Sequence, residues 1–488
     1  MTTHLVLLWI IALCMLPAHA GAQSDVAFPP DVYAARRQQL LDRIGRHPLI
    51  LPGAEMTSRG VFDKQDPNFW YLTGVESPFA VMVVVPTNGG VREILFLPDS
   101  FQFAGAQNPH DDPRFRFAAW NRTIKRLVPG TETDTRLGID ESLPLRTLAQ
   151  RVPELVGQSD TVFILRRGDG GYVPPGFPAR VEQSRRFEDT LVELTGASHV
   201  GDATPHVERM RLTKDEHEID ALRRAAAISV IGLREAMRMI EPGVNDREVA
   251  GWMEYIWKRE GSPQPSFGPI VSSGAGSVSL YSLKSENYNA TDRVMNDGEL
   301  VFIDYGAAEY RTYTSDICRT FPVNGRFTPL QRRYYEIVLE AQDSALAAIR
   351  PGVMMLDVIR AAAAVYQRHG LEQYEDIDRM GVDRVWGVMP SPTHFITQGK
   401  DLTNYSGVSG TGVRDLGHFI GLEVSESRDY SMPLEPGMVF TVEPKLYIPA
   451  ENIAIMIEDM IVVTVTGHEN LSADAPRTVD AIERVMGS

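Results

Sequence analysis

Carboxylates set inside apolar, strand-like runs constrain this chain more than any other feature. In ELVFIDYGAAEYRTYTSDICRTFPV, Asp304 and Asp316 occupy two such runs joined by a short turn near Tyr310. They lie symmetrically about residue 310, so an antiparallel hairpin is expected to set the two carboxylates opposite one another. In VFTVEPKLYIPAENIAIMIEDMIVV, Glu443 and Glu458 repeat the arrangement about a turn near 449–452. His418 lies between the pairs, in GHFIGLEV, flanked by glycine and apolar residues. Burying such carboxylates is costly, and like charges directly opposed repel. Two such pairs need something cationic between them, and divalent metal is the simplest answer. Four carboxylates and one imidazole suit Mn²⁺, Fe²⁺, Co²⁺ or Zn²⁺ rather than a thiolate-preferring ion. Two ions about 3.5–4 Å apart could share a hydroxide nucleophile while polarising a carbonyl. Taken singly, each position also has a bland reading, since a lone strand Asp faces water at an edge and a lone His beside glycine caps a turn. The conjunction of all five carries the metal reading.

The rest of the composition narrows the partners. With 488 residues the chain exceeds what one core usually supports, which predicts two domains or one domain with a large lobe. Lys and Arg total 48 against 64 Asp and Glu, for a net charge of −16. That balance argues against nucleic acid, whose phosphates call for basic side chains, and against adsorption to anionic membranes. There is no HExxH, GxSxG or Walker-type loop, and GAGSVS at 274–279 lacks the third glycine of a dinucleotide fingerprint.

The first 22 residues read as a signal peptide. Leu5 to Leu16 is an apolar run of 12, too short to span a bilayer, followed by small-x-small sites at Ala18-His19-Ala20 and Ala20-Gly21-Ala22. Export to the periplasm or the medium is the expectation, with no membrane association after cleavage. Removal of Cys14 would leave Cys318 alone, so no intramolecular disulfide is expected.

Strands are predicted at 81–86, 93–98 and 161–165, alternating with helical stretches such as 31–47, which gives a mixed α/β lobe. A helix with Thr213 as N-cap should run to Pro242-Gly243, with others from Asp246 to Glu260, Pro329 to Ile349 and Met355 to His369. A Gly/Ser/Asn/Thr-rich loop occupies about 388–413, and the domain boundary falls near 200–210.

Several segments, in order, resemble the metallopeptidases of the pita-bread fold, and among them the Xaa-Pro aminopeptidase (aminopeptidase P) and prolidase branch. They are DPNFWYLTGVESPFAVMVVVP, VERMRLTKDEHEIDALRRAA, FGPIVSSG, LVFIDYGAAEYRTYTSDICRTF, GHFIGLEV, PGMVFTVEP and IMIEDMIVVT. The resemblance implies a creatinase-type α/β domain at 25–205 and an α+β pita-bread catalytic domain at 206–488. It makes Asp304, Asp316, His418, Glu443 and Glu458 ligands of two divalent ions, most often Mn²⁺, with Asp316 and Glu458 bridging. Glu443 would also serve as general acid/base. Dimers or tetramers are common in that branch, and a homo-oligomer is the expectation.

The residues around the ligands depart from the pattern. Where such peptidases place outer histidines this chain has Tyr281, Arg414 and Ser425, and the arginine of the usual RIED motif is Met456. Losing one oxyanion donor typically costs about 2.7–4 kcal/mol, roughly 10²–10³ in kcat. Tyr281 and Arg414 are donors themselves, and Arg414 could hold an anionic group; His394, in the polar loop, could replace a missing imidazole. Three functions follow: an exopeptidase cutting before proline; the same metal site acting on a small non-peptide or anionic substrate; or a non-catalytic peptide-binding module. The complete ligand set together with the aminopeptidase P-type N-terminal segment favours the first.

Overall fold

The apolar runs at 81–86 and 93–98 become adjacent antiparallel strands of a six-stranded sheet. In the computed structural model the described residues are 27–54, 64–98, 127–157, 159–166, 182–277, 292–306, 312–371, 410–411, 416–426, 432–448 and 451–487. The chain divides into two units, Met1–Ala203 and Thr204–Ser488. The first unit's strands are β1 (Leu49–Pro52), β2 (Val81–Thr87), β3 (Gly90–Leu97), β4 (Glu141–Pro144), β5 (Thr161–Ile164) and β6 (His199–Asp202), in the order β4-β3-β2-β1-β5-β6. Antiparallel pairs join β1, β2 and β3, while β4, β5 and β6 add in parallel. Among the described residues, helices α1 (Pro30–Arg43), α2 (Pro67–Thr73), α3 (Thr131–Leu137), α4 (Leu148–Val156) and α5 (Glu182–Thr195) accompany the sheet in this mixed α/β unit. Ile50, Val83, Phe96 and Ile164 from the sheet pack with Val152 of α4 and Leu191 of α5.

The second unit is α+β. After α6 (Thr204–Arg211), α7 (Glu216–Met239) starts two residues later than predicted. Asp215, not Thr213, is its N-cap: the Asp215 carboxylate accepts from Glu218 N and Glu218 Oε2 accepts from Asp215 N. Thr213 instead bridges to Met438, so its backbone is committed to a strand contact before the helix begins. The helix also stops at Met239, ahead of Pro242-Gly243, with Ile240 as an extended C-cap. Helices α8 (Asp246–Arg259), α9 (Pro329–Ala348) and α10 (Met355–Arg368) fall close to their predicted ranges, and α11 (Val479–Met486) ends the unit. Among the described residues no helix is long and apolar enough to cross a membrane.

Among the described residues, three three-stranded sheets accompany these helices. Strands β7 (Ile270–Ser273), β8 (Leu300–Asp304) and β9 (Cys318–Pro322) form one in that order. Strand β10 (Gly410–Thr411) pairs with β12 (Lys445–Ile448), which pairs with β13 (Ile453–Met456); β11 (Val439–Val442) pairs with β14 (Asp459–Val463), which pairs with β15 (His468–Asn470). One core, including Trp257, Ile303, Tyr335, Val358, Phe440 and Ile461, runs through the unit.

The register of β8 on β9 corrects one expectation. Asp304 faces Cys318, not Asp316. Continued two residues further, the same register sets Gly306 opposite Asp316, and a Cβ on Gly306 would lie 2.5 Å from Ser315 O and 2.6 Å from Asp316 Cα. The bare glycine allows this approach. Because alternate residues share a sheet face, the two carboxylates become diagonal neighbours instead of a directly opposed pair. The turn expected near Tyr310 lies outside the described residues.

Candidate metal centre

Glu443 and Glu458 do stand opposite one another, as their spacing predicts. The pairs Val442↔Asp459 and Lys445↔Met456 belong to one continuous register, and these two glutamates occupy the position between them. The backbone at 416–420 runs alongside: Glu443 N donates to Leu416 O at 2.8 Å, Thr441 N to His418 O at 2.9 Å, and Ile420 N to Val439 O at 3.1 Å. A Cβ on Gly417 would collide with the Thr441 carbonyl, so glycine is needed for His418 to sit this close. His418 Nε2 is 3.4 Å from Asp316 Oδ2 and 3.9 Å from Glu443 Oε1. Ligand atoms of Asp316, His418 and Glu458 all lie within 4.8 Å of one another. All five expected residues are buried.

Backbone clamps hold the cluster. Gln342 Nε2 on α9 donates to Val442 O at 3.2 Å and to Ile457 O at 3.1 Å, gripping the residues just before both glutamates. Arg319 of β9, wholly buried, donates to Cys318 O, to Glu458 O and to Asp459 Oδ1, the last at 2.7 Å. Glu458 N returns a bond to Cys318 O at 3.0 Å. Thr314 N and Oγ1 both donate to Gly421 O at 2.9 Å, tying the Asp316 segment to the His418 segment.

Charge and unsatisfied oxygens show what such a cluster suits. Burial first, then Asp316, Glu443 and Asp304, push the Glu458 carboxyl well above the usual carboxylate range. The Cys318 thiol is pushed up too, by burial and then by Asp304, which leaves it a poor thiolate ligand. Asp316 Oδ1 and Glu458 Oε2 are buried without a hydrogen-bond partner among the described groups. Unsatisfied, mutually repelling carboxylate oxygens beside an imidazole match the donor set of a hard or borderline divalent cation. The residues therefore fit the implied metal.

Residues 220–465 match the family "Metallopeptidase family M24", and residues 33–163 match "Aminopeptidase P, N-terminal domain". The chain belongs to metallopeptidase family M24. By that membership it is a metallo-hydrolase. It is 30% identical over 471 residues to an Xaa-Pro aminopeptidase of Escherichia coli (strain K12), covering 93% of this chain and 97% of that one. An Xaa-Pro aminopeptidase of Haemophilus influenzae is 27% identical, with 94% and 97% covered. A structure of zinc-substituted Escherichia coli aminopeptidase P in complex with product superposes with a TM-score of 0.72 at 29% identity, covering 94% of this chain and 98% of that one. The pita-bread fold in the C-terminal unit, and the aminopeptidase P-type domain before it, are thereby established.

The outer positions separate. Tyr281, Arg414 and His394 lie outside the described residues. Ser425 is exposed, and Met456 is fully buried in β13. Two residues near the candidate ligands escape a motif-based reading. Lys445 Nζ donates to Glu443 Oε2 at 2.9 Å with both side chains buried; its signal was a lysine inside an apolar strand run, two residues from a carboxylate. Glu426, just after Ser425, accepts from Arg211 Nη2 at 2.8 Å and Lys214 Nζ at 2.6 Å. Both cations come from the VERMRLTK segment, so only folding could pair them.

Proposed function

We propose that this M24 enzyme is an exopeptidase that removes the residue preceding proline, with two divalent ions held by Asp304, Asp316, His418, Glu443 and Glu458. The carrying observation is the convergence of Asp316, His418 and Glu458 atoms within 4.8 Å, with Glu443 Oε1 3.9 Å from the imidazole. Coverage of nearly the whole length of two Xaa-Pro aminopeptidases supports the substrate class. Bound divalent ions supply Lewis acidity, lowering the pKa of water and polarising a carbonyl. The protein's part is to bind and orient. Glu458, clamped through Arg319 and Gln342, and Asp316, on the segment tied through Thr314 to Gly421 O, keep their carboxylates in place. Glu443 takes the proton from the attacking water and returns it to the leaving amine. Tyr281 and Arg414 supply donors where outer histidines are absent, and exposed Ser425 marks the substrate side. Mn²⁺ is the ion we favour, with Co²⁺, Zn²⁺ and Fe²⁺ accepted by the same donors. Export through the 1–22 segment and a homo-oligomeric state belong to this reading.

The replaced shell favours one second reading, in which the same centre hydrolyses a small anionic amide or ester with Arg414 holding the anion. Hydrolysis of Xaa-Pro and Xaa-Pro-Xaa peptides by protein stripped of metal and reloaded with Mn²⁺, Co²⁺ or Zn²⁺ separates the two. The peptidase reading expects metal-dependent turnover that falls by about 10²-fold or more in Glu443→Gln. Bound metal with no turnover of any such peptide would overturn it in favour of the second.

A further inference from the structure

Asp316 lies two residues before β9 begins, and its N–H meets Met460 Sδ at 3.4 Å, a weak acceptor. The segment leading into it is strained. Thr312 has φ 68°, in the left-handed region that a β-branched residue rarely adopts. Such strain persists only where the surroundings over-determine the backbone. Three successive residues do so. Tyr313 Oη donates to Glu218 Oε1 at 2.8 Å, with both residues buried. Thr314 holds Gly421 O, and Ser315 Oγ shares a hydrogen bond with Ser229 Oγ of α7 at 2.7 Å. The other oxygen of Glu218 closes the α7 capping box on Asp215 N. Just ahead of that box, Arg211 and Lys214 hold Glu426. The start of α7, the 312–316 segment and the 418–426 turn are thus joined pairwise, by Glu218–Tyr313, Lys214–Glu426 and Thr314–Gly421. From two corners of that triangle come Asp316 and His418, with Oδ2 and Nε2 3.4 Å apart.

We infer that Tyr313 and Glu218 are positioning residues for the metal centre: their bond keeps Thr312 in its strained conformation and so aims the Asp316 carboxylate at His418 and Glu458. The inference rests on the reading above that Asp316 is a metal ligand. Released from Glu218, the backbone at Thr312 is free to relax to negative φ. The chain four residues later then turns, and Asp316 with it. Neither Tyr313 nor Glu218 is a ligand itself. Groups that orient ligands from outside typically matter about 10–100-fold in metal affinity, which sets the size of the effect.

The test is calorimetric titration of the folded full chain with Mn²⁺ or Zn²⁺, beside thermal melts in EDTA. Tyr313→Phe, which removes one buried hydroxyl, should weaken metal binding about tenfold or more. Glycine adopts positive φ freely, so Thr312→Gly removes the drive to relax. Added to Tyr313→Phe, it should recover most of the lost affinity. A lower melting temperature with unchanged affinity in Tyr313→Phe would make the bond one of packing alone and overturn the inference. An affinity reduced alike with and without Thr312→Gly would also overturn it, leaving the metallopeptidase reading intact. Wild-type protein that binds no divalent ion would overturn both. Should Tyr313→Phe fail to fold, Ser315→Ala takes its place, since it removes the Ser229 clamp on the same segment and carries the same two expectations.

Discussion

Glu443 and Glu458 face one another at the junction of two ladders that keep a single register, with Val442↔Asp459 on one side and Lys445↔Met456 on the other. Opposed carboxylates there repel unless a cation joins them. The Glu458 carboxyl is driven up by burial and then by Asp316, Glu443 and Asp304. Folding pulls these groups together because Arg319, Gln342 and the surrounding apolar strands fix the backbone regardless of the charge they carry.

Removing Glu458's charge should therefore have opposite effects with and without metal. In EDTA, Glu458→Gln is expected to melt at a higher temperature than wild type, since a repelled buried charge is gone. With free ion at 100 times the dissociation constant, wild type gains about 2.7 kcal/mol. The variant should lose most of that gain, and thermal melts across a metal titration check both signs.

Arg319 acts on the centre through backbone and not as a ligand. Arg319→Ala leaves the Asp459 carboxylate buried without its cation, a change that typically costs about 3–5 kcal/mol. Urea unfolding in EDTA measures the loss. Metal affinity should fall as well, although every ligand is retained, because the Glu458 carbonyl loses its donor.

Glu426 predicts an acid limb. Burial would raise its pKa, but Lys214 and Arg211 outweigh it and bring the carboxyl down to about 2. A depressed pKa in the folded state means stability that is fully present above the unfolded value near 4.5 and is lost as pH falls through about 2. Glu426→Gln should flatten that limb. At neutral pH, Glu426→Ala should cost about 3–5 kcal/mol, because Lys214 stays buried without its carboxylate and Arg211 loses one of its two. Urea melts between pH 2 and 7 read both effects.

Asp246, at the start of α8, behaves in the opposite sense. Burial raises its carboxyl to about 6, against the pull of Ser273 and Arg293. Its contribution to stability is full below the unfolded value of 3.8 and disappears as pH rises through about 6. Asp246→Asn should match wild type at pH 4 and exceed it at pH 7.5 by on the order of 1–2 kcal/mol, after discounting for partial solvent screening. Chemical denaturation at the two pH values decides it.

Much of this chemistry was legible residue by residue. Asp304, Asp316, Glu443 and Glu458 stand out because a carboxylate in an apolar run is costly wherever that run folds, His418 stands out between glycine and apolar residues, and short continuous apolar runs mark β2, β3 and β5 as strands. The 443–458 register was legible too, since both arms stay apolar up to the turn. What needed the tertiary structure was every relation set by distant backbone. Asp304 meets Cys318 because Gly306 lets the chain close one step further along, and a spacing count cannot see how tightly two backbones pack. Arg211 and Lys214 meet Glu426 from more than 200 positions away. Lys445, read along the chain, is one more polar residue in a strand; only the folded backbone sets its Nζ 2.9 Å from Glu443 Oε2, with both side chains buried.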